Sequence, residues 1–277
     1  GTPQITLETG DADAVVNYSS GTTTNTLTFN YTVAAGHTSA DLDYEATTSL
    51  ALNSGTINDA VLNAATLTLP AIGAAGSLAV NKAIVIDTTV PTIAITSTTT
   101  GVSDGSTTSD ATIALTFTTS ESTTDFVVGD IDATNGALSS FTAVSGTVYT
   151  ATFTPTGQGA CTIDVATDKF TDVASNGNTA SDQFNWTFDN VAPTVTNVTS
   201  TKADGTYSID EVIAITITFS EAVNVTGTPQ ITLETGGTDA VVNYSSGSGT
   251  STLTFDYTVA AGHSSTDLDY VATNSLA

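Results

Sequence analysis

Apolar and polar residues alternate along most of this chain of 277 residues. Ile113, Leu115 and Phe117 are spaced by Ala114 and Thr116, Tyr149 and Phe153 keep one parity, and Cys161, Ile163 and Val165 share a face. Phe184, Trp186 and Phe188 alternate with Asn185 and Thr187. Near the start, Ile5 and Leu7 alternate with polar neighbours, and Leu27, Phe29, Tyr31 and Val33 alternate with Thr28, Asn30 and Thr32. A period of two turns one face to a core and the other to water, so the pattern predicts β-strands. Gly10, Gly21 and Gly36 fall between the runs as turn residues. No helix longer than a turn is expected. Residues 50–64 read as a loop or a single helical turn, and Ala83–Ile86 as a strand.

Two similar phrases divide the chain. Asp87-Thr-Thr-Val-Pro91-Thr and Asp189-Asn-Val-Ala-Pro193-Thr each close one strand with an Asp and open the next with Pro-Thr. Proline fixes φ and lacks an N–H, which suits the start of an edge strand. Between these linkers, residues 92–190 hold about seven short strands with regular turn signals, the pattern of an immunoglobulin-like β-sandwich. The flanks are related to each other. Residues 1–51 align with 227–277 at a constant offset of 226, with 41 of 51 positions identical and no gap. Self-similarity at a fixed long period marks an array. Residues 1–88 are therefore expected to be the C-terminal part of a larger sandwich, 92–190 a complete smaller one, and 193–277 the N-terminal part of the next larger one. The fold class is all-β, with tandem Ig-like sandwiches in a linear array, and the chain reads as a stretch of a longer periodic protein.

Charge narrows the function. There are 28 acidic residues against Lys82, Lys169 and Lys202, for a net charge of −25. Phosphate binding needs lysine or arginine, so nucleic acid is excluded as a partner, as is docking on anionic lipid. The same charge favours solubility and cation binding. Hydrophobic residues make up 39% and alternate cleanly, which argues against disorder. Cys161 is alone, so no disulfide framework exists. No apolar run approaches the ~20 residues of a membrane helix. Acidic chains rich in Thr, Ser, Gly and Asn suit salty extracellular water, where screening relieves self-repulsion.

The phrases Thr218-Phe-Ser-Glu-Ala-Val, Val225-Thr-Gly-Thr-Pro-Gln-Ile-Thr-Leu-Glu, Ile86-Asp-Thr-Thr-Val-Pro-Thr and Phe184-Asn-Trp-Thr-Phe-Asp resemble the bacterial Ig-like repeats of giant surface adhesins. The resemblance runs over essentially the whole chain. It implies an extracellular, cell-surface setting and a mechanical role as stalk or extender, with adjacent repeats or neighbouring copies in a fibre as partners.

Sandwich topology brings a further expectation. The linker, the loop after the second strand and the loop before the last strand all lie at one end of such a domain. In the smaller domain these segments carry Asp87, Glu121, and Asp168, Asp172 and Asn176. In the larger one they carry Asp189, Glu221, and Asp59 and Asn63 one period later, with the same Asp-x-x-x-Asn spacing. Calcium takes six to eight hard oxygen ligands, so calcium at the junctions is the candidate chemistry. The competing reading is solvated carboxylates and turn-forming Asx residues. The spacing is not an EF-hand loop. Asp104-Gly105 and Asp204-Gly205 read as turns at the opposite ends.

His37 and His263, equivalent in the repeat, read as exposed turn residues, because a lone His without Cys or a second His makes no zinc site. Cys161 and Trp186 read as core. No catalytic motif is present, so the protein is not expected to be an enzyme. Two rival functions remain: an adhesin module that recognises a glycan or protein through its loops, and an accessory module of a secreted hydrolase.

Overall fold

The computed structural model describes residues 1–277, and the chain divides into two compact units, Gly1–Asn190 and Val191–Ala277. It is about 40% strand and 3% helix, an all-β protein. Three separate apolar clusters form, one in residues 1–88 and two in the segments that follow the linkers.

In the first part of unit 1, β1 (Gln4–Leu7), β2 (Ala14–Ser20), β3 (Thr28–Phe29) and β4 (Leu50–Ala51) form one sheet in the order β3-β2-β1-β4. A long irregular segment follows, with a single helical turn α1 (Leu78–Asn81). The helical turn therefore lies beyond 50–64, which is loop apart from β4 at its start. Ala83–Ile86 is not a strand. It runs beside the irregular 36–44 loop, and Ser39 and Ile86 form an isolated bridge. Leu69, Leu78 and Ile86 pack over Leu7, Leu42 and Tyr44.

The second part of unit 1 is a sandwich of β5 (Ile93–Ser97), β6 (Ser106–Thr108), β7 (Ile113–Thr119), β8 (Ile131–Thr134), β9 (Gly136–Ala143), β10 (Val148–Pro155), β11 (Gly159–Val165) and β12 (Phe184–Phe188). One sheet has the order β5-β7-β10-β9 and the other β6-β12-β11-β8. The predicted alternation is the core. Ile113, Leu115 and Phe117 of one sheet and Cys161, Ile163 and Val165 of the other are all at most 1% exposed. Trp186 stands edge-on to Phe153, with ring centroids 4.8 Å apart, and joins the sheets. There are eight strands, not seven. The extra one, β6, reads Ser-Thr-Thr and pairs parallel with β12, so it has no apolar alternation to betray it.

Unit 2 is one five-stranded sheet: β13 (Val195–Ser200), β14 (Val212–Val223), β17 (Thr250–Thr258), β16 (Ala240–Ser246) and β15 (Gln230–Leu233), in that order. Here the repeat shows what a partner does. Leu253, Phe255 and Tyr257 are buried in nine-residue β17, paired along β14. Their equivalents Leu27, Phe29 and Tyr31 are only half-buried, and β3 is two residues long. No strand takes the place of β14 beside β3. Extended backbone without a ladder partner leaves its N–H and C=O groups to water.

Candidate metal centre

The linker at Asp87 is held from both sides. Upstream, Ile86 exchanges backbone hydrogen bonds with Ser39, each 2.8 Å, and the Thr88 hydroxyl accepts from Gly36 N–H and donates to the His37 carbonyl. Downstream, the Pro91 carbonyl accepts from Thr179 N–H at 2.9 Å. Thr92 N–H donates to the Ser120 hydroxyl, and Ser120 N–H returns to the Thr92 carbonyl, both at 2.9 Å. This clamp draws the loop after β7, and with it Glu121, against the linker.

The loop between β11 and β12 supplies Asp172. Asp172 is 7% exposed and both its oxygens accept from Asn176, Oδ1 from the backbone N–H at 2.9 Å and Oδ2 from the side-chain amide at 2.8 Å. The Asn176 amide also donates to the Asp87 carbonyl at 3.2 Å. Ser175, at φ 71°, makes the left-handed step that lets the loop close on its own Asp. Asp125 ties the two loops together. Its carboxylate accepts from Thr171 N–H and hydroxyl and from the Thr123 hydroxyl. Burial pushes the Asp125 carboxyl up, but these hydrogen bonds outweigh it and hold the group below its ordinary value.

As a result, one oxygen each from Asp87, Glu121 and Asp172 lies within 4.8 Å of the others. Glu121 Oε1 is buried and has no hydrogen-bond partner. Burial, and then the charges of Asp87 and Asp172, raise the Glu121 carboxyl above its ordinary value. No lysine pairs with this cluster; the ion pair Lys202–Glu211 is in unit 2. Two charges 4.8 Å apart repel by about 3 kcal/mol at an effective dielectric constant near 20. Ligands of one calcium, each at 2.3–2.6 Å, lie at most about 5 Å apart, so this spacing suits a shared ion. The donors are all hard oxygens, with no His or Cys among them, which favours calcium over zinc.

A family model for the bacterial Ig-like domain matches residues 87–188, from the linker carboxylate to the end of β12. Residues 87–188 are a bacterial Ig-like domain. No curated protein matches the chain. Ig-like domains of this family are typically non-catalytic and occur in extracellular bacterial surface proteins. No helix of the chain is long and apolar enough to cross a membrane.

Of the five residues expected at the Ig-like domain's junction, three carboxylates meet. Asn176 braces Asp172 at its carboxylate and Asp87 at its backbone carbonyl, donating to both from its side-chain amide. Asp168 is exposed and is not in the three-carboxylate group; its Oδ1 faces Gly177, where an added Cβ would lie 2.2 Å away. In the other set, Asp59 and Asn63 repeat the Asp172–Asn176 loop closely. Asn63 N–H donates to Asp59 Oδ1 at 2.8 Å and its amide to Oδ2 at 2.7 Å, with Leu62 in the left-handed step at φ 68°. The Asn63 side chain, then its backbone N–H, hold Asp59 below the ordinary carboxylate value. Both residues are exposed. Asp189, in unit 1, accepts from Gln158 at 3.1 Å. Glu221, in unit 2, lies inside β14 rather than in a loop after it, because that strand continues through a bulge to Val223.

Sequence reasoning missed Ser120 and Asp125. The signal for Ser120 is a recurring Ser-Glu pair, Ser120-Glu121 just after β7 and Ser220-Glu221 within β14: Ser220 and Thr194 of unit 2 repeat the clamp at 3.0 and 2.8 Å. Asp104 accepts from the backbone and side-chain N–H groups of Asn185 and so pins its turn to β12. His37 and His263 are half-buried, not exposed. Each stacks on a tyrosine, Tyr31 or Tyr257, and its Nδ1 shares a 2.8 Å hydrogen bond with the tyrosine hydroxyl.

Proposed function

We infer that this chain is a structural repeat segment of an extracellular bacterial surface fibre or adhesin stalk, stiffened by calcium at its linkers. The observation that carries the reading is the convergence of Asp87, Glu121 and Asp172 on the linker, with a buried Glu121 oxygen that nothing in the chain satisfies. The Ig-like match over residues 87–188 supports an extracellular surface setting. Calcium between the three carboxylates ties the linker to both loops of the Ig-like domain and removes their mutual repulsion. Bidentate carboxylates, backbone carbonyls and water complete the six to eight ligands. Affinity is expected at a Kd on the order of 10⁻⁴–10⁻³ M, as in extracellular modules. At about ten millimolar calcium, binding to the folded state alone adds ~1.4–2.7 kcal/mol of stability across that range of Kd. The larger effect is on the linker, since small contacts between domains otherwise permit pivoting.

Small-angle scattering of the full chain with calcium and with chelator tests this. A stiffer, more extended particle in calcium is expected, and superimposable profiles would contradict it.

A further inference from the structure

Only two asparagines of the chain precede a glycine, Asn135-Gly136 and Asn176-Gly177, and both lie in the Ig-like domain. Asparagine is thermolabile, and a following glycine leaves the next backbone nitrogen without a side chain to shield it. That nitrogen can attack the asparagine's own amide carbon. The two pairs are held differently. The Asn135 amide donates to the Gly157 carbonyl at 2.7 Å, and the Asn135 carbonyl accepts from Thr156 N–H at 3.0 Å. Gly136 opens β9 beside Pro155 of β10. All these partners belong to the sandwich, so freeing Asn135 means opening the sandwich.

Asn176 is held by the linker. Its amide nitrogen donates to the Asp87 carbonyl at 3.2 Å and to Asp172 Oδ2 at 2.8 Å. Donation to an anion makes the amide carbon less electrophilic, and the two bonds fix that carbon in place. The attacking group is not restrained in this way. Gly177 N–H has no hydrogen bond within the chain, because the Thr171–Gly177 bridge is closed by Asn178 N–H to the Phe170 carbonyl and Asp172 N–H to the Asn176 carbonyl. Asn176 and Gly177 are half-buried, and residues 173–175 before them are exposed, so water reaches the loop. The nucleophile is thus available, and the electrophile is restrained through a contact with the linker.

We propose that Asn176-Gly177 is a self-modification site whose rate is set by local opening of the linker. When the Asp87 and Asp172 contacts part, Gly177 N bonds to Asn176 Cγ, the Cγ–Nδ2 bond breaks, and ammonia leaves with the proton of Gly177 N–H. Water then opens the cyclic imide at one of its two carbonyl carbons, which gives aspartate or isoaspartate at position 176. The product lacks the amide donor that joins linker and loop, and it sets a fourth carboxylate next to those of Asp87, Glu121 and Asp172. Conversion is irreversible, so each event leaves the linker less firmly held. The chemistry uses the hydrogen bonds of the linker and not the ion. Its tests are therefore run in chelator, and its failure leaves the calcium reading untouched.

The full chain is aged in mildly alkaline buffer, native and in urea, in water enriched in heavy oxygen. Both Asn-Gly sites are followed by peptide mass spectrometry. In the native chain Asn176 is expected to convert about tenfold or more slowly than in urea, the rate equivalent of one hydrogen bond to a charged group, yet faster than Asn135. Native conversion at Asn176 as fast as in urea, or no faster than at Asn135, would overturn the proposal. Asp172→Asn keeps an acceptor for Asn176 N–H but turns an amide toward the amide of Asn176. It should speed native conversion at Asn176 by about threefold or more and leave Asn135 unchanged. An unaltered rate at Asn176 would overturn the proposal. Equal acceleration at both sites would overturn it too, by assigning the rate to opening of the whole sandwich.

Discussion

The side-chain amide of Asn176 donates to the carbonyl of Asp87 at 3.2 Å and to the carboxylate of Asp172 at 2.8 Å. One neutral side chain thus joins the linker to the loop that supplies the most buried carboxylate of the cluster. Asn176→Ala removes both bonds and leaves Asp172 short of a partner. Hydrogen bonds to charged groups are worth about 1.5–3 kcal/mol, so a loss of about 2 kcal/mol is expected in urea unfolding of the full chain. A change below about 0.5 kcal/mol would show that the brace is incidental.

Glu121→Gln keeps the shape of the side chain and removes one of three crowded charges. Without divalent cation the variant should be more stable than the parent at neutral pH, by on the order of 1 kcal/mol after screening. In calcium the order should reverse, because the parent gains an ion that the variant holds poorly. Parallel thermal melts in chelator and in calcium read both signs. A variant that is less stable in both conditions contradicts the repulsion.

The raised Glu121 carboxyl fixes a pH dependence. Between the ordinary glutamate value and the raised one, the folded state holds a proton that the unfolded state has released. Stability in chelator therefore falls as pH rises through that window and is fullest below it. Asp125, held below its ordinary value, acts in the opposite sense: its contribution is present above the unfolded value and is lost as pH falls through the folded one. Urea midpoints of the parent minus those of Glu121→Gln, from about pH 4 to about pH 8, isolate the Glu121 share. A difference that does not vary with pH would contradict it.

Phe153 is fully buried against Trp186, the chain's one tryptophan. Phe153→Ala should cost about 3–5 kcal/mol. Trp186 fluorescence reports it directly, through a red-shifted emission and an earlier unfolding midpoint. An unshifted midpoint would mean that the two sheets are not joined there.

Strands whose side chains alternate were legible along the chain, because burial on one face needs only the period. β6 was not, since Ser106–Thr108 takes its place through backbone pairing with β12. Leu27–Val33 and Leu253–Val259 carry the same alternation, yet only the second forms a long strand. Alternation records which face is apolar, whereas strand length depends on the neighbour, and that neighbour lies far off in sequence. The site shows the same division. Asp172 and Asn176 were visible through local spacing that their loop geometry explains, and Asp87 and Glu121 through topology. The Asp125 tie joins residues 46 positions apart and leaves no local pattern.

Calcium titration by calorimetry, comparing the full chain with its Glu121→Gln variant, is the most direct measurement of the ion site. Expected is a binding event in the parent with Kd on the order of 10⁻⁴–10⁻³ M that weakens by about tenfold or more in the variant. Equal heats in the two proteins, or none in the parent, would contradict calcium at Asp87, Glu121 and Asp172.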